Sequence, residues 1–183
     1  IQKTSRHIQI NLNAIAKGYS VDKISKFFKS KDINNFMIEI GGEIYVSGHN
    51  NESQLWKIGI RNPDLDGNFI LNSIQITNKA IATSGVYLDY FSLNGIEYSH
   101  LINPQNGYPI KHDLVSAIVL AKDCTTADAI ATAVMIKGFN KGLEWINAIE
   151  NIECILISKS LNGKYNIAKS NGFKYQLKKW DKD

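Results

Sequence analysis

An aspartate and a threonine that stand four residues apart give the first indication of chemistry in this chain. Asp128 and Thr132 lie in the segment TTADAIATA, residues 125–133. In an α-helix, residues four apart lie one turn above each other on the same face, and the alanines between them allow another group to approach closely. A carboxylate and a hydroxyl are oxygen ligands that suit Mg²⁺, which keeps other positions for water and phosphates. The spacing therefore indicates a candidate magnesium site.

The same residues also fit a purely structural role. Thr125 lies three residues before Asp128, so the two could form a capping box at the start of a helix. Thr132 would then bond a carbonyl oxygen one turn earlier. The position of the Asp128 carboxylate distinguishes the two interpretations, because a capping box turns it back onto the start of its own helix.

The composition is typical of one domain with a hydrophobic core, since the chain has 183 residues and 44% of them are hydrophobic. The net charge of +4 comes from scattered lysines without a basic stripe, so nucleic-acid binding is not expected. No segment approaches the roughly 18 apolar residues of a membrane-spanning helix. Cys124 and Cys154 fit no metal-ligand pattern, and we expect buried free thiols, although an oxidising compartment would permit a disulfide.

A glycine interrupts the first predicted helix. This helix is predicted from Asn13, as the N-cap, to about Lys29, after a short strand over residues 8–12 in which apolar residues alternate. Gly18 should weaken the helix by about 1 kcal/mol relative to alanine. Close approach by a ligand or by another segment would explain why a glycine stands there.

Alternating apolar residues and turn signals predict a series of strands in the rest of the chain. Gly41 and Gly42 separate two of them, which we interpret as a glycine kink in a continuing strand or a plain bulge. The Asp128 helix should end at Gly138, and a further helix is predicted over residues 141–147. The order of hairpins and helices predicts an α+β fold with antiparallel or mixed sheets and packed helices. The predicted strands are residues 36–40, 44–46, 56–60, 70–77, 80–85, 87–92, 96–102, 115–121, 152–157 and 165–168.

A histidine stands at the edge of a turn that is rigid by composition. Residues 103–109 follow His100 and contain two prolines, which fix φ, and Gly107, which can adopt a positive φ. The imidazole of a histidine can accept a proton from an incoming hydroxyl near neutral pH. Packing of the hairpin edge is the alternative role, and the sequence leaves both open.

Four stretches, in order along nearly the whole chain, resemble the ApbE family of flavin transferases, which move FMN from FAD onto a threonine or serine of a target protein. They are NLNAIAKGYSVD at residues 11–22, IEIGGEI at 38–44, ATSGVY at 82–87 with SHLINPQNGYP at 99–109, and TADAIATA at 126–133. The resemblance implies one ApbE-like domain over residues 1–183, and that the family's N-terminal portion is missing from this chain.

The resemblance also implies roles for particular residues. Asp128 and Thr132, with the backbone carbonyl of Ala14, would hold Mg²⁺. His100 and Asp128 are the implied catalytic residues, with His100 as the general base. Lys17 is expected near the nucleotide's phosphates, although an exposed helix lysine with no such role is the alternative. The implied residues that bind the flavin nucleotide are Asn11, Lys17, Gly41, Gly42, Ser84, Gly85 and Ile102.

The implied reaction takes FAD as substrate and Mg²⁺ as cofactor, transfers FMN to a Thr or Ser hydroxyl as a phosphoester, and releases AMP. Two alternatives stay open: hydrolysis of FAD to FMN and AMP in the same site, and flavin binding without chemistry. The expected acceptor is a subunit of a redox complex. From the family alone we expect a periplasmic or exported protein that is lipid-anchored to the inner membrane through a segment absent from this chain.

Overall fold

The computed structural model describes residues 2–7, 9–63, 70–86, 90–93, 96–160 and 162–179 of the chain. The helices are α1 (Asn13–Lys29), α2 (Cys124–Lys137) and α3 (Phe139–Asn147). The strands are β1 (Phe36–Ile40), β2 (Glu43–Ser47), β3 (Trp56–Arg61), β4 (Ile70–Ile76), β5 (Lys79–Gly85), β6 (Tyr90–Leu93), β7 (Ile96–Ser99), β8 (Leu114–Ala121), β9 (Glu153–Lys159), β10 (Tyr165–Lys169) and β11 (Lys178–Lys179).

A six-stranded antiparallel sheet separates two hydrophobic layers. Its strand order is β1-β2-β5-β8-β9-β10, and a three-stranded sheet has the order β11-β4-β3. Residues of the three helices pack on one face of the large sheet, and residues of β3 and β4 pack on the other. This arrangement of hairpins and packed helices confirms the predicted α+β fold.

The central strand β8 shows how the sequence builds both layers. Ala117, Val119 and Ala121 belong to the cluster on the helix side, and Ile118 and Leu120 belong to the cluster under the second sheet. A strand that is buried on both faces is a continuous apolar run rather than an alternating one. The small residues on the helix side leave room for α2 to lie close to the sheet.

The two glycines between β1 and β2 form a tight turn. Gly41 has φ +59° and Gly42 has φ +98°, and Ile40 pairs with Glu43 in an antiparallel hairpin. A two-residue hairpin turn of this kind requires positive φ at both central positions, which glycine adopts without strain. The predicted kink in a continuing strand, and the bulge alternative, are therefore wrong.

The segment before α1 differs from its prediction. Residues 9–12 form no strand, and Ile10 and Leu12 are 55% and 59% exposed. A few alternating residues form no strand without a neighbouring strand to pair with. Helix α1 does begin at Asn13, but Leu12 holds the N-cap position, and Asn11 Oδ1 accepts a hydrogen bond from the Asn13 N–H at 2.8 Å. The predicted N-cap role of Asn13 is wrong.

The other predicted elements agree with the structure to within a few residues. Helix α2 ends before Gly138 as predicted, and α3 begins at Phe139, two residues earlier than predicted. Within the described ranges, no helix is long and apolar enough to cross a membrane. Residue 8 of the first predicted strand and residues 87–89 of the strand predicted over 87–92 lie outside the described residues. The same holds for the turn-rich residues 64–68, the Asn-Gly pair at 94 and 95, and Leu161 in the predicted turn between the last two strands.

The cysteines should be inert in the native protein. Cys124 and Cys154 are buried free thiols, as predicted. Burial raises the pKa of Cys154 to about 11 and raises the pKa of Cys124 as well. Because the thiolate is the reactive form, we expect Ellman's reagent at pH 8 to titrate neither thiol before unfolding and both in denaturant. A thiol that reacts rapidly in the native protein would contradict this prediction.

Candidate functional site

One cavity of about 690 Å³ brings together most of the residues that the sequence singles out. It lies against the start of α1, the β1–β2 turn, α2, β3 and the end of β5. Asn11 and Ile102 do not line it: the Asn11 side chain bonds the start of α1, and Ile102 is 46% exposed beside Pro109. The predicted residues that line the cavity are Ala14, Lys17, Gly41, Gly42, Ser84, Gly85, His100, Asp128 and Thr132.

The Asp128 carboxylate points away from its own helix start and towards α1. Its Oδ2 accepts a hydrogen bond from the backbone N–H of Gly18 at 2.9 Å, and the residue is only 5% exposed. The N-cap of α2 is Asp123, whose Oδ1 accepts the Thr126 N–H at 2.8 Å. The capping box of Thr125 with Asp128 is therefore wrong.

The surroundings of Asp128 act on its charge in two opposite ways. Burial raises the pKa of Asp128 above its ordinary value, while the Gly18 N–H and the nearby Lys17 ammonium oppose that rise. A further positive charge nearby would stabilise the ionised form of this buried carboxylate. The position therefore suits a residue that binds a cation.

Gly18 is required because two helices meet at it. A Cβ on this residue would lie 2.4 Å from the carbonyl oxygen of Cys124 and 2.8 Å from the Cβ of Asp128. These distances are far below van der Waals contact, so any side chain would force α1 and α2 apart. Of the two explanations that the sequence offered for this glycine, close approach by another segment is confirmed.

A second carboxylate, which the sequence reading missed, joins the same two helices. Asp22 accepts hydrogen bonds from the N–H groups of Cys124 and Thr125, both at 2.8 Å, and from the Thr125 hydroxyl. It lies four residues after Gly18, on the same face of α1. That spacing was the available signal, but the partners stand more than 100 residues away in the chain.

Replacing Asp22 with alanine should loosen the contact between α1 and α2. The change leaves two N–H groups at the start of α2 without their acceptor, so we expect the free energy of unfolding to fall by about 2–3 kcal/mol. Urea denaturation would measure it. Asp22→Asn is the matched control, since its amide oxygen still accepts one hydrogen bond and its loss should be smaller. A change below about 0.5 kcal/mol in Asp22→Ala, the range of ordinary surface substitutions, would contradict the prediction.

Lys17 is held by a buried acid that the sequence reading also missed. Lys17 Nζ lies 2.9 Å from Oε1 and 2.8 Å from Oε2 of Glu43, and donates to the Gly41 carbonyl oxygen at 3.2 Å. Glu43 is 1% exposed at a core-facing position of β2, and that inward charge was the signal available in the strand pattern. Burial raises the pKa of Glu43, Lys17 lowers it, and the nearby Asp128 raises it further.

The remaining wall includes the end of a strand and a histidine that precedes a tight turn. Ser84 and Gly85 stand at the end of β5, opposite Ala117 and Ser116 of β8. His100 is exposed at the cavity and follows β7 directly. The turn after it is closed by backbone hydrogen bonds between residues 103 and 108 and between 107 and 103, both at 2.8 Å, with φ +74° at residue 107. The predicted turn and the positive φ of Gly107 are confirmed, and its rigidity stays a prediction.

The chemistry of the lining residues fits a hard cation beside an anionic ligand. Asp128, Thr132 and the Ala14 carbonyl offer oxygen atoms, and Lys17 offers an ammonium group next to them. Among the described residues, no three His, Cys, Asp or Glu side chains group as a closed metal site. Mg²⁺ suits such a sparse oxygen set because it keeps waters and binds substrate phosphates.

The comparisons with known proteins agree with this chemistry. The ApbE family matches residues 1–156 of the chain. The FAD:protein FMN transferase of Vibrio cholerae serotype O1 is 38% identical over 179 residues, which are 98% of this chain and 53% of that protein. The enzyme of the same name from Haemophilus influenzae is 37% identical over 89% of this chain and 47% of its own length. The chain thus spans about half the length of the curated relatives it matches.

A solved structure shares the fold. The flavin transferase ApbE from Vibrio cholerae superimposes with a TM-score of 0.79 at 38% sequence identity, over 90% of this chain and 51% of that chain. At this identity the likeness extends beyond the fold to the sequence itself. The resemblance seen in the four short stretches is therefore confirmed over nearly the whole chain.

Proposed function

This chain belongs to the ApbE family, and we propose that the protein containing it is a Mg²⁺-dependent FAD:protein FMN transferase. FAD is the donor, a Thr or Ser hydroxyl of a target protein is the acceptor, and AMP is released. The observation that carries the proposal is the position of Asp128. It is a buried carboxylate that lines one cavity together with Thr132, Ala14 and Lys17.

Asp128, Thr132 and the carbonyl oxygen of Ala14 are the residues that would hold Mg²⁺. Ala14 lies one turn before Gly18 on α1, and the Gly18 N–H donates to Asp128 at 2.9 Å, so this turn of α1 lies beside the carboxylate. When bound, the cation would neutralise charge on the two phosphates of FAD as the bond to AMP breaks.

The chain's own groups would position the reactants. In the proposed reaction the acceptor's hydroxyl oxygen bonds to the phosphorus on the FMN side, and the bond from that phosphorus to the AMP oxygen breaks. Lys17 would bind the pyrophosphate as a compact positive charge. His100, at the edge of the cavity, would accept the hydroxyl proton. In-line attack needs both groups to be placed before the reaction begins.

The backbone would shape the flavin site. Gly41 and Gly42 form a turn without side chains at the cavity wall, so that a planar ring or a phosphate can approach the backbone closely. Ser84 and Gly85 would contact the flavin from the end of β5. Asn11 and Ile102 lie outside the cavity lining and stay predictions that rest on the resemblance alone.

The acceptor and the cellular location rest on the resemblance as well. We propose a subunit of a redox complex as acceptor, and an exported protein that acts on the periplasmic side. A lipid anchor to the inner membrane is part of the same proposal.

One assay separates the proposed activity from its alternatives. The protein, with any sequence that flanks this chain in its gene retained, is incubated with FAD, Mg²⁺ and a protein that carries a Thr flavinylation site. Flavin fluorescence that stays on the denatured acceptor, with one AMP released per flavin, supports the transferase. Free FMN and AMP with an unlabelled acceptor would show that the protein hydrolyses FAD and does not transfer FMN. Intact FAD in every sample would leave only binding. EDTA provides the matched control for the cation.

A further inference from the structure

We propose that Glu43 is a positioning residue for FAD. Its buried carboxylate fixes the Lys17 ammonium at the cavity wall, in the place where that ammonium meets the pyrophosphate. The inference rests on the proposed function, since it takes FAD as the ligand. Glu43 lies within the family-like stretch at residues 38–44, but the resemblance gave it no role.

The contacts of Lys17 leave it one hydrogen for a ligand. An ammonium group has three N–H donors and no acceptor. In the part of the chain that the structure describes, hydrogen bonds to Glu43 Oε1 and to the Gly41 carbonyl oxygen account for two of them. Glu43 Oε2, 2.8 Å from Nζ, adds an ion-pair contact and not a third hydrogen bond. The third N–H can donate to a phosphate oxygen without breaking either contact. The ammonium therefore need not leave Glu43 when the dinucleotide binds.

The difference in burial between Glu43 and Lys17 indicates that Glu43 is the fixed partner and orders the lysine. Glu43 has only 2% of its side chain exposed, whereas the Lys17 side chain is 47% exposed and reaches the cavity from α1. Glu43 starts β2, directly after the tight turn of Gly41 and Gly42, so its backbone is fixed by the hairpin. A free lysine side chain has many rotamers, and ordering it costs up to about 2 kcal/mol. An acid that orders it beforehand removes that cost from ligand binding.

This role can be tested by whether FAD binds more weakly or more tightly when the charge of Glu43 is removed. A carboxylate that merely lines a phosphate-binding cavity repels its ligand, and neutralising it should tighten FAD binding. A carboxylate that positions Lys17 has the opposite effect. Neutralising it removes the ion pair and leaves at most one hydrogen bond from an amide oxygen, so the ammonium is held less firmly and FAD binding should weaken. Glu43→Gln keeps the size of the side chain and removes only the charge.

The test measures equilibrium binding of FAD by flavin fluorescence in EDTA, so that no turnover occurs. We expect Glu43→Gln and Lys17→Met each to raise the Kd for FAD, and the double variant to be no weaker than Lys17→Met alone. The resulting coupling between the two positions should be about tenfold in Kd. Glu39→Gln is the matched control, because it removes an exposed negative charge from the same cavity. Its effect should add to that of Lys17→Met.

Three results would overturn the inference: tighter or unchanged FAD binding in Glu43→Gln, additive effects of Glu43→Gln and Lys17→Met, or no FAD binding by the parent protein with or without Mg²⁺. Thermal unfolding checks that each variant is folded, and Lys17→Gln replaces Lys17→Met if the latter is not. Transfer activity separates the two proposals. Coupling without transfer or hydrolysis overturns only the proposed function, and transfer without coupling overturns only the role of Glu43.

Discussion

Asp128→Asn should reduce Mg²⁺-dependent turnover by about a thousandfold or more, since a metal ion's charge stabilisation is worth several kcal/mol and each 1.36 kcal/mol is about tenfold. The substitution removes the negative charge that would attract the cation and keeps the shape of the side chain. The amide oxygen of asparagine can still accept the hydrogen bond from the Gly18 N–H. In the parent protein this nitrogen lies 2.9 Å from Asp128 Oδ2. Loss of activity would then report the charge and not a broken contact between helices.

Stability should move in the opposite direction from activity. Burial raises the folded-state pKa of Asp128 above its ordinary value of 3.8, so the native protein binds this proton more tightly than the unfolded chain does. In the metal-free protein, stability therefore falls as pH rises from the unfolded-state pKa through the raised folded-state pKa. Asp128→Asn lacks this titration. Urea denaturation in EDTA would measure the free energy of unfolding of both proteins. The value for the variant minus that for the parent protein should be larger at pH 7 than at pH 4.

Asp123→Asn is the matched control for the loss of charge. It removes a carboxylate from the start of the same helix, and asparagine caps helices about as well as aspartate. Its turnover and its requirement for Mg²⁺ should resemble those of the parent protein. If Asp128→Asn kept the same Mg²⁺ dependence as this control, the metal assignment would be wrong.

The sequence could reveal the pairing of Asp128 with Thr132 because helical spacing is a local property. Four residues of an α-helix decide which side chains share a face, whatever the rest of the chain does. The strands of the large sheet were found for the same reason, since their apolar residues recur at short range. Local rules failed where tertiary partners decide, as in residues 9–12, which alternate but pair with no strand in the described part of the chain.

The two missed carboxylates show the same limit more sharply. Asp22 and Glu43 are ordinary acids in the sequence, and their roles come from partners 102 and 26 residues away. The two interpretations of Asp128 had the same local pattern and differed only in where its carboxylate points. The Gly18 N–H, 110 residues away, decided between them. The resemblance draws on several separate stretches whose residues meet only in the folded protein. It could therefore assign a site that spacing within one helix left open.

Gly18→Ala should destabilise the protein and impair catalysis together. Alanine favours a helix by about 1 kcal/mol over glycine, but its Cβ would lie 2.4 Å from the Cys124 carbonyl oxygen. Because that neighbour is backbone, relief requires α1 and α2 to separate, and overpacking of this kind costs about 1–3 kcal/mol or more. The same movement would pull the N–H of residue 18 from Asp128. We expect turnover to fall by about tenfold to a hundredfold, as for catalytic groups misplaced by about 1 Å.

Ser20→Ala is the matched control, since it raises the helix propensity at an exposed position of α1, where the serine hydroxyl donates to the Ala16 carbonyl oxygen of the same helix. Urea denaturation and Mg²⁺-dependent turnover, both at a temperature where each variant is folded, would measure the two effects. A stabilised and fully active Gly18→Ala would mean that the helices can separate without moving the carboxylate. Loss of stability with full activity would mean that the contact at Gly18 holds the fold but does not set the position of Asp128. Loss of both would tie the close approach of α1 and α2 to the chemistry, because one glycine then permits the packing and supplies the N–H that orients Asp128.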